Sequence, residues 1–407
     1  MVTAYALARE GVGVELIDQE DQTAGRSYAC ALHPRTLRVL AQLGLHEAIL
    51  PLGRKVDTVA FYEGESRRGE IKFSKLPGEF PFLLAVPQNA LEELLAQRLA
   101  QQFGIVIRWE RRLADLEEVG EQVVTTIDKM CDTAKGYPIA TWQRCVEQTA
   151  HSQMAFLVGA DGRASHVRDL LHIEEEKAGE REHFAVFEFD WDAKIAPEVR
   201  VVAHNGTVSV LWPLPGKRWR WSFQLDAEEK GEDAPLKERV HFRLVDPARD
   251  RAALEQMRRL TEERAPWFDA RGAEVDWSTT IDVERRIARR YGAGHCWLAG
   301  DSAHTTNPVG MQSMNVGLSE GAELAGILAD IIHEKGSSSL LEQYEAGYRD
   351  EWRQLLGMER SVVPTDAASS WIGVRGAGLL PCVPASGKDL AHLLGQIGLQ
   401  FRPARAA

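Results

Sequence analysis

The chain has 407 residues and a formal net charge of −12 at pH 7, with 44% hydrophobic and 27% charged residues. That balance suits a soluble globular protein with a sizeable core, and the length suits about two or three domains. A negative field repels phosphate backbones, which argues against nucleic-acid binding, and no apolar run approaches the roughly 20 residues of a membrane-spanning helix.

Residues 1–11 contain no basic leader, signal-length apolar run or cleavage site, which predicts a cytoplasmic protein. Residues 2–10 read as the end of an amphipathic helix stopped at Gly11, and 12–18 as a short apolar strand ending on Asp18. Residues 34–43 alternate at helical spacing and stop at Gly44. Strands are predicted over 56–73 with a turn at Glu63 and Gly64, then a strong helix over 88–103 and a strand over 105–109. Residues 111–158 read as a run of short strands, and 183–225, rich in β-branched and aromatic residues, as an antiparallel sheet. An interrupted helix is predicted over 238–264, strands over 281–287 and 295–299, and a long helix over 316–333. Beyond 336 the pattern is helical and broken by Gly and Pro. The five cysteines, Cys30, Cys131, Cys145, Cys296 and Cys382, form no C-x-x-C pair. They suggest neither a disulfide framework nor a metal site, and each reads as a small buried hydrophobe.

This order predicts an α/β fold with two interleaved domains and a helical C-terminus. A Rossmann-like nucleotide-binding domain takes 1–55, 84–175 and 280–335, a β-rich substrate domain takes 56–83 and 176–279, and a C-terminal helical region takes 336–407. In a Rossmann unit an acid about 20 residues after the glycine loop bonds a ribose hydroxyl. Asp18 is the candidate, with a solvent-facing strand-end acid as the alternative. Counting back from Asp18 puts the glycine loop before Met1. Gly11-Val12-Gly13 cannot replace it, because it precedes the second strand and Leu16 holds the third glycine position. The expectation is a Rossmann-like domain lacking its first strand and GxGxxG loop, through a start-site error or a truncation, with weakened cofactor binding.

The late segment is more specific. An apolar strand at 295–299 runs into Gly300-Asp301, a Gly/Pro-rich loop and a helix. An acid at a strand's carboxyl end accepts bonds from ligand hydroxyls. Gly300, Gly310 and Gly317 let backbone approach a flat ligand closely. The helix start offers free N–H groups and a positive dipole end to developing negative charge. Earlier, Asp161-Gly162 forms a turn after a buried strand, with Arg168 in the helix beyond.

The run from Gly300 to Asn315 resembles the GD motif of the class A flavoprotein monooxygenases, the para-hydroxybenzoate hydroxylase-like aromatic hydroxylases. The resemblance implies that Gly300 and Asp301 bind the FAD ribityl chain and that Pro308, Gly310, Met314 and Asn315 line the isoalloxazine ring. Ser302 stands where Ala is usual, and Met311 and Ser313 where glycines are usual, so that their side chains crowd the ring or shift it. Residues 156–168 are similar to the family's DG motif, which implies that Asp161 and Gly162 serve FAD and NADPH binding. Gln88, opening a helix after Ala85-Val86-Pro87, matches the segment whose Gln contacts the flavin's ribityl side. Residues 27–37 resemble the loop and helix after the second strand. Tyr28 stands where many members have Arg, and Arg26 is the candidate for that charge. Residues 218–224 resemble a substrate-domain strand that carries an arginine toward the flavin, with Trp219 and Trp221 on one face and Arg220 on the other.

The implied activity is that of an FAD-dependent monooxygenase. It takes NAD(P)H and dioxygen and hydroxylates an aromatic or phenol-like small molecule. Arg220 and His204 are pocket candidates; no catalytic base is identified and no metal is needed. No nucleic-acid or membrane partner is implied, and a homodimer is compatible. The alternatives are a same-fold flavin epoxidase or reductase, and an N-terminally truncated, non-catalytic protein with impaired FAD binding.

Overall fold

The computed structural model describes residues 1–25, 29–135, 141–192, 195–226, 247–358 and 362–402. Alternation in the middle of the chain builds a sheet with two unlike faces. Its seven strands run in the order Glu274–Val283, Glu182–Asp190, Arg218–Leu225, Thr207–Pro213, Val199–His204, Thr58–Glu63 and Ser66–Lys72. All neighbours are antiparallel except Val199–His204 and Thr58–Glu63, which are parallel. One face carries Phe187, Leu211, Trp219, Trp221 and Phe223, packed on Met257 and Leu260 of the Pro247–Arg264 helix. The other carries Phe184, Val201, Val210 and Trp212 and joins the main core. Arg220 pairs with Trp212 across the strands and shares that second face, because successive strand residues point to opposite sides. Each fully buried Phe here contributes about 1.5–3 kcal/mol.

A short parallel pair organises the rest. Leu157–Gly159 lies beside Cys296–Leu298, with Leu157 opposite Cys296 and Gly159 opposite Leu298. Parallel strands end on the same side, so the turns at 160–162 and 300–301 emerge together. The Gln312–Ile332 helix crosses the Val2–Arg9 helix closely. A Cβ at Gly321 would sit 2.5 Å from the Thr3 hydroxyl, which would have to turn away, and one at Gly317 only 2.9 Å from Gly300 Cα, so the latter, a backbone contact, requires glycine.

On the buried face of the Gln312–Ile332 helix, between Val316 and Leu324, stands Glu320, with no exposed surface. Its carboxylate is fully partnered. Oε2 accepts the Gly300 N–H at 3.1 Å and lies 2.6 Å from His304 Nε2, and Oε1 accepts the Trp352 indole N–H at 2.9 Å. The His304 ring stacks on Trp352 with centroids 3.8 Å apart. One buried acid thus ties the 300–305 segment to two helices, Gln312–Ile332 and Ser339–Leu355.

The first of these helices starts at Met311, whose backbone is left-handed at φ 56°, ψ 27°. That conformation costs an L residue roughly 1–2 kcal/mol. The side chain is 4% exposed and belongs to the main core, and burying a methionine contributes about 1.5–3 kcal/mol. Burial therefore holds a side chain where backbone geometry favours glycine.

The structure departs from the sequence expectations in several places. Residues 12–18 and 105–109 do not form strands; they meet in one parallel bridge, Ile17 with Arg108. The apolar pattern reports packing of Val14 and Leu16 against the core rather than a hydrogen-bonded ladder. Residues 111–158 form three long strands rather than a run of short ones: Arg111–Val119, Gln122–Lys135 and Thr141–Met154. Their exposed face is polar, which hides the length from a hydrophobic pattern. The long helix begins at Gln312, four residues before Val316. Residues 238–246 of the interrupted helix lie outside the described residues. The C-terminal helical region packs against the Pro34–Gln42 helix, where Arg35 pairs with Glu351 and Arg38 with Asp389, each at 2.5 Å. Cys30, Cys296 and Cys382 are buried, but Cys131 and Cys145 are only half-buried and touch each other. Among the described residues no helix is long and apolar enough to cross a membrane.

Two stability outcomes are expected. Glu320→Ala strands the Gly300 and Trp352 donors and His304 in the core, and should lower unfolding free energy by about 3–5 kcal/mol. An unchanged urea midpoint would refute the hub. Met311→Gly relieves backbone strain but empties a core position, which costs about 2–5 kcal/mol as a large-to-small change. A net loss is expected in the same denaturation assay, and a gain would mean that strain outweighs burial.

Candidate functional site

The parallel pair brings the two acidic turns together. Ala299 N–H donates to Gly159 O at 3.0 Å. The Ser302 hydroxyl donates to the same oxygen at 2.6 Å and accepts the Ala299 N–H at 3.1 Å. Serine at 302 therefore adds a bond between the turns that alanine cannot make. Buried Arg168 continues the clamp, donating to Ser302 O at 2.9 Å and to Arg163 O at 3.1 Å. Asp161 is engaged locally: it accepts from Ser165 Oγ at 2.5 Å and from Val167 N at 3.0 Å. It thereby fixes the entry to the His166–Leu170 helix, while Gly162 takes φ 81°.

Asp301 is different. Its side chain is exposed to solvent, although protein packs closely around it. Burial pushes its carboxyl above the usual carboxylate range; Glu320 adds to the rise, and His304 and Arg163 oppose it. Among the described residues nothing hydrogen-bonds this carboxylate. It is a free acceptor at the carboxyl end of a parallel strand, held by Gly300 (φ 67°) in a turn that Glu320 fixes.

The loop beyond is locked by one side-chain amide. Asn315 Oδ1 accepts from His33 N at 2.7 Å and Thr36 Oγ1 at 2.8 Å, and Nδ2 donates to Ala31 O at 2.8 Å and Met311 O at 2.7 Å. His33 Nε2 donates to Gly310 O at 2.9 Å; a carbonyl only accepts, so this nitrogen carries the proton. Burial pushes the His33 imidazole down to about 3, so it is neutral. That leaves Nδ1 as a buried acceptor without a donor among the described residues. A Cβ at Gly310 would overlap the Pro381 carbonyl. Gln312 donates to Val383 O at 3.2 Å, so residues 381–383 close over the same loop. Pro308 and Met314 flank this loop and are half-buried.

Gln88 reaches the same region through Ala29: its Oε1 accepts the Ala29 N–H at 3.0 Å, and its Nε2 donates to Glu92 at 2.7 Å. Glu92 in turn accepts the Ala24 N–H at 2.8 Å. Asp18 is exposed and caps its own turn at the Glu20 N–H, 2.9 Å away. Arg26 lies outside the described residues. Arg220 is 1% exposed and pairs with Glu188 at 2.9 Å, with Trp277 beneath its guanidinium and Cys30 in its field. His204 lies elsewhere: it bonds Glu263 of the Pro247–Arg264 helix at 2.9 Å, on the sheet face away from the loop.

Sequence reasoning missed His33, Glu320 and Asn307. An acid on the apolar stripe of a helix is the signal for Glu320; His33 lay inside a matched segment without an assigned role. Asn307 borders a cavity of about 670 Å³ whose wall includes Val208, Gln224, Arg285, Leu356 and Leu380. Its Nδ2 donates to Glu182 Oε2 at 3.2 Å, which orients the amide and leaves Oδ1 buried without a donor.

The chain is 30% identical over 352 residues to 6-methylpretetramide 4-monooxygenase of Streptomyces rimosus, covering 85% of this chain and 56% of that protein. It is 24% identical over 369 residues to pentachlorophenol 4-monooxygenase of Sphingobium chlorophenolicum, covering 88% and 61%. The chain thus spans about three-fifths of the length of these relatives. Its fold matches the crystal structure of p-nitrophenol 4-monooxygenase from Pseudomonas putida DLL-E4 at a TM-score of 0.72 and 18% identity, covering 97% of this chain and 90% of that one. Over residues 1–357 the chain matches the family model described as an FAD binding domain, and it belongs to that family.

Proposed function

We propose that the protein is an FAD-dependent monooxygenase that hydroxylates an aromatic or phenol-like small molecule with NAD(P)H and dioxygen. The single observation that carries this reading is Asp301, an exposed carboxylate just past the end of a parallel strand with no hydrogen-bond partner among the described residues. The groups around it fit FAD. Ribityl hydroxyls supply the donors that Asp301 lacks, and the buried His33 Nδ1 is a second acceptor waiting beside the loop. The start of the Gln312–Ile332 helix supplies N–H groups and a positive dipole end.

When bound, FAD supplies electron transfer and oxygen activation. The chain's own residues bind and orient. Asp301 accepts from the ribityl chain, Asn315 and His33 hold the 307–311 loop, and Gln88 with Glu92 holds residues 24–29. Met311 and Ser313 put side chains where smaller residues leave room; the Ser313 hydroxyl accepts the Thr306 N–H at 3.2 Å and so stiffens the loop. The Arg220 guanidinium is buried and pairs with Glu188, so its charge is met within the sheet. The 670 Å³ cavity beside Asn307 joins apolar Val208, Leu356 and Leu380 to polar Glu182, Gln224 and Arg285, and the Asn307 Oδ1 acceptor offers a place for the hydroxyl of an aromatic ring.

Asp301→Ala should weaken FAD binding about tenfold or more, through loss of hydrogen bonds to a charged acceptor worth roughly 1.5–3 kcal/mol. Ligand-free stability should hold, since the carboxylate has no protein partner to lose. Its raised pKa adds a sign: FAD affinity should fall as pH drops and Asp301 takes a proton. Fluorescence titration of FAD against pH reads both, and wild-type affinity in the variant would remove Asp301 from the site.

Asn307→Ala should raise KM for a phenolic substrate about tenfold while FAD affinity stays the same. A phenol whose hydroxyl is methylated should be indifferent to the change. Equal losses for both compounds would show that Oδ1 does not read the hydroxyl.

A further inference from the structure

The strands Gln122–Lys135 and Thr141–Met154 carry a feature that the proposed activity does not use. Cys131 stands directly opposite Cys145 in their antiparallel register. Their sulfur atoms lie 3.0 Å apart, both side chains are half-buried, and neither is in a disulfide. The Thr133 hydroxyl sits 3.5 Å from the Cys145 sulfur, on the same face. Opposed residues of an antiparallel pair hold their Cβ atoms about 4.5–5.5 Å apart, and a disulfide takes about 3.5–4.5 Å. A small approach of two strand positions therefore suffices. The other three cysteines, Cys30, Cys296 and Cys382, are buried apart from one another in the core.

We propose that Cys131 and Cys145 are a modification site, a dithiol that hydrogen peroxide converts to a reversible disulfide. One sulfur, as thiolate, attacks a peroxide oxygen: an S–O bond forms, the O–O bond breaks, and hydroxide leaves as water after taking a proton. The facing sulfur then displaces the sulfenic oxygen: an S–S bond forms, the S–O bond breaks, and the second water leaves. Two thiols lose two electrons and one peroxide becomes two waters. The second step is intramolecular, and contact between the sulfurs favours it over further oxidation. The first step is slow near neutral pH. The hydrogen bond to Cys145, then burial and the nearby Glu147 and Asp132 carboxylates, push the Cys131 thiol up to about 11, so thiolate is scarce. A flavin enzyme releases this oxidant itself when oxygen activation and hydroxylation come apart, but added peroxide is enough and the inference does not require the proposed activity.

The test counts thiols in the whole purified protein. The protein is reduced with dithiothreitol, desalted, exposed to hydrogen peroxide, unfolded and alkylated. Of five cysteines, three should alkylate after peroxide and five without it. Trypsin cuts after Lys129, Lys135, Arg144 and Arg163, so peptides 130–135 and 145–163 should appear linked, and dithiothreitol should release them. Cys145→Ser should give no such link under the same exposure. Five alkylated thiols after peroxide, a link through Cys30, Cys296 or Cys382, or sulfinic acid at Cys131 with no link would each overturn the proposal. Because the wild-type peptide map decides alone, a poorly folding variant does not blur the result.

Discussion

Much of the molecule depends on one carboxylate placed where a carboxylate is expensive. Glu320 has no exposed surface, and its two oxygens serve the Gly300 N–H, His304 and the Trp352 indole. Burying an isolated charge is strongly unfavourable, and only donors converging on it make it tolerable. The influence spreads into the core: the Tyr291 and Tyr344 hydroxyls are pushed well above the usual phenol range by burial first and Glu320 next. The same field helps to lift Asp301. The acid that fixes the shape of the 300–305 turn thus also adds to the rise that burial imposes on the Asp301 carboxyl. The two roles cannot be separated by moving either residue.

Asp301, Gly310 and Asn315 were legible in the sequence because their chemistry is local. A strand, an acid, a glycine loop and a helix follow one another within about twenty residues, and each component has its own physical reason. The seven-stranded sheet was legible where alternation was clean, as at Trp219, Arg220 and Trp221. Other features need partners distant in sequence. Whether 12–18 becomes a strand depends on neighbours, and among the described residues its one bridge partner is Arg108, over ninety residues on. His204 carries the chemistry of a pocket residue, but its parity on the strand turns it to Glu263 and the far face. Glu320 looks like a solvated acid until Trp352 and His304 are placed around it. The cysteines show the same limit: nothing in the spacing of 131 and 145 reveals a register that sets them face to face.

The 307–311 loop illustrates how one fold tolerates departures from a motif. Met311 sits in a left-handed conformation and Ser313 carries a hydroxyl, both where the resemblance leads one to expect glycine. The methionine is held by packing, and the serine finds the Thr306 N–H. Each departure is absorbed by a contact within reach, so the loop keeps its path while the surface it offers a flat ligand becomes bulkier. The loop of this chain therefore presents side chains in a place where the resemblance leads one to expect bare backbone.

The approach of Gly310 to the Pro381 carbonyl bears on how such proteins can be recombined. The segment at 381–383 forms the outer wall of the very loop that faces the candidate cofactor site. A chimera that exchanges residues from 336 onward for the equivalent part of a longer relative would replace that wall as well. Whatever is grafted must bring a carbonyl-bearing backbone to the same spot and an acceptor for Gln312. The tail cannot be treated as an interchangeable cassette: its junction runs through the site rather than around it, and a workable crossover point lies elsewhere in the chain.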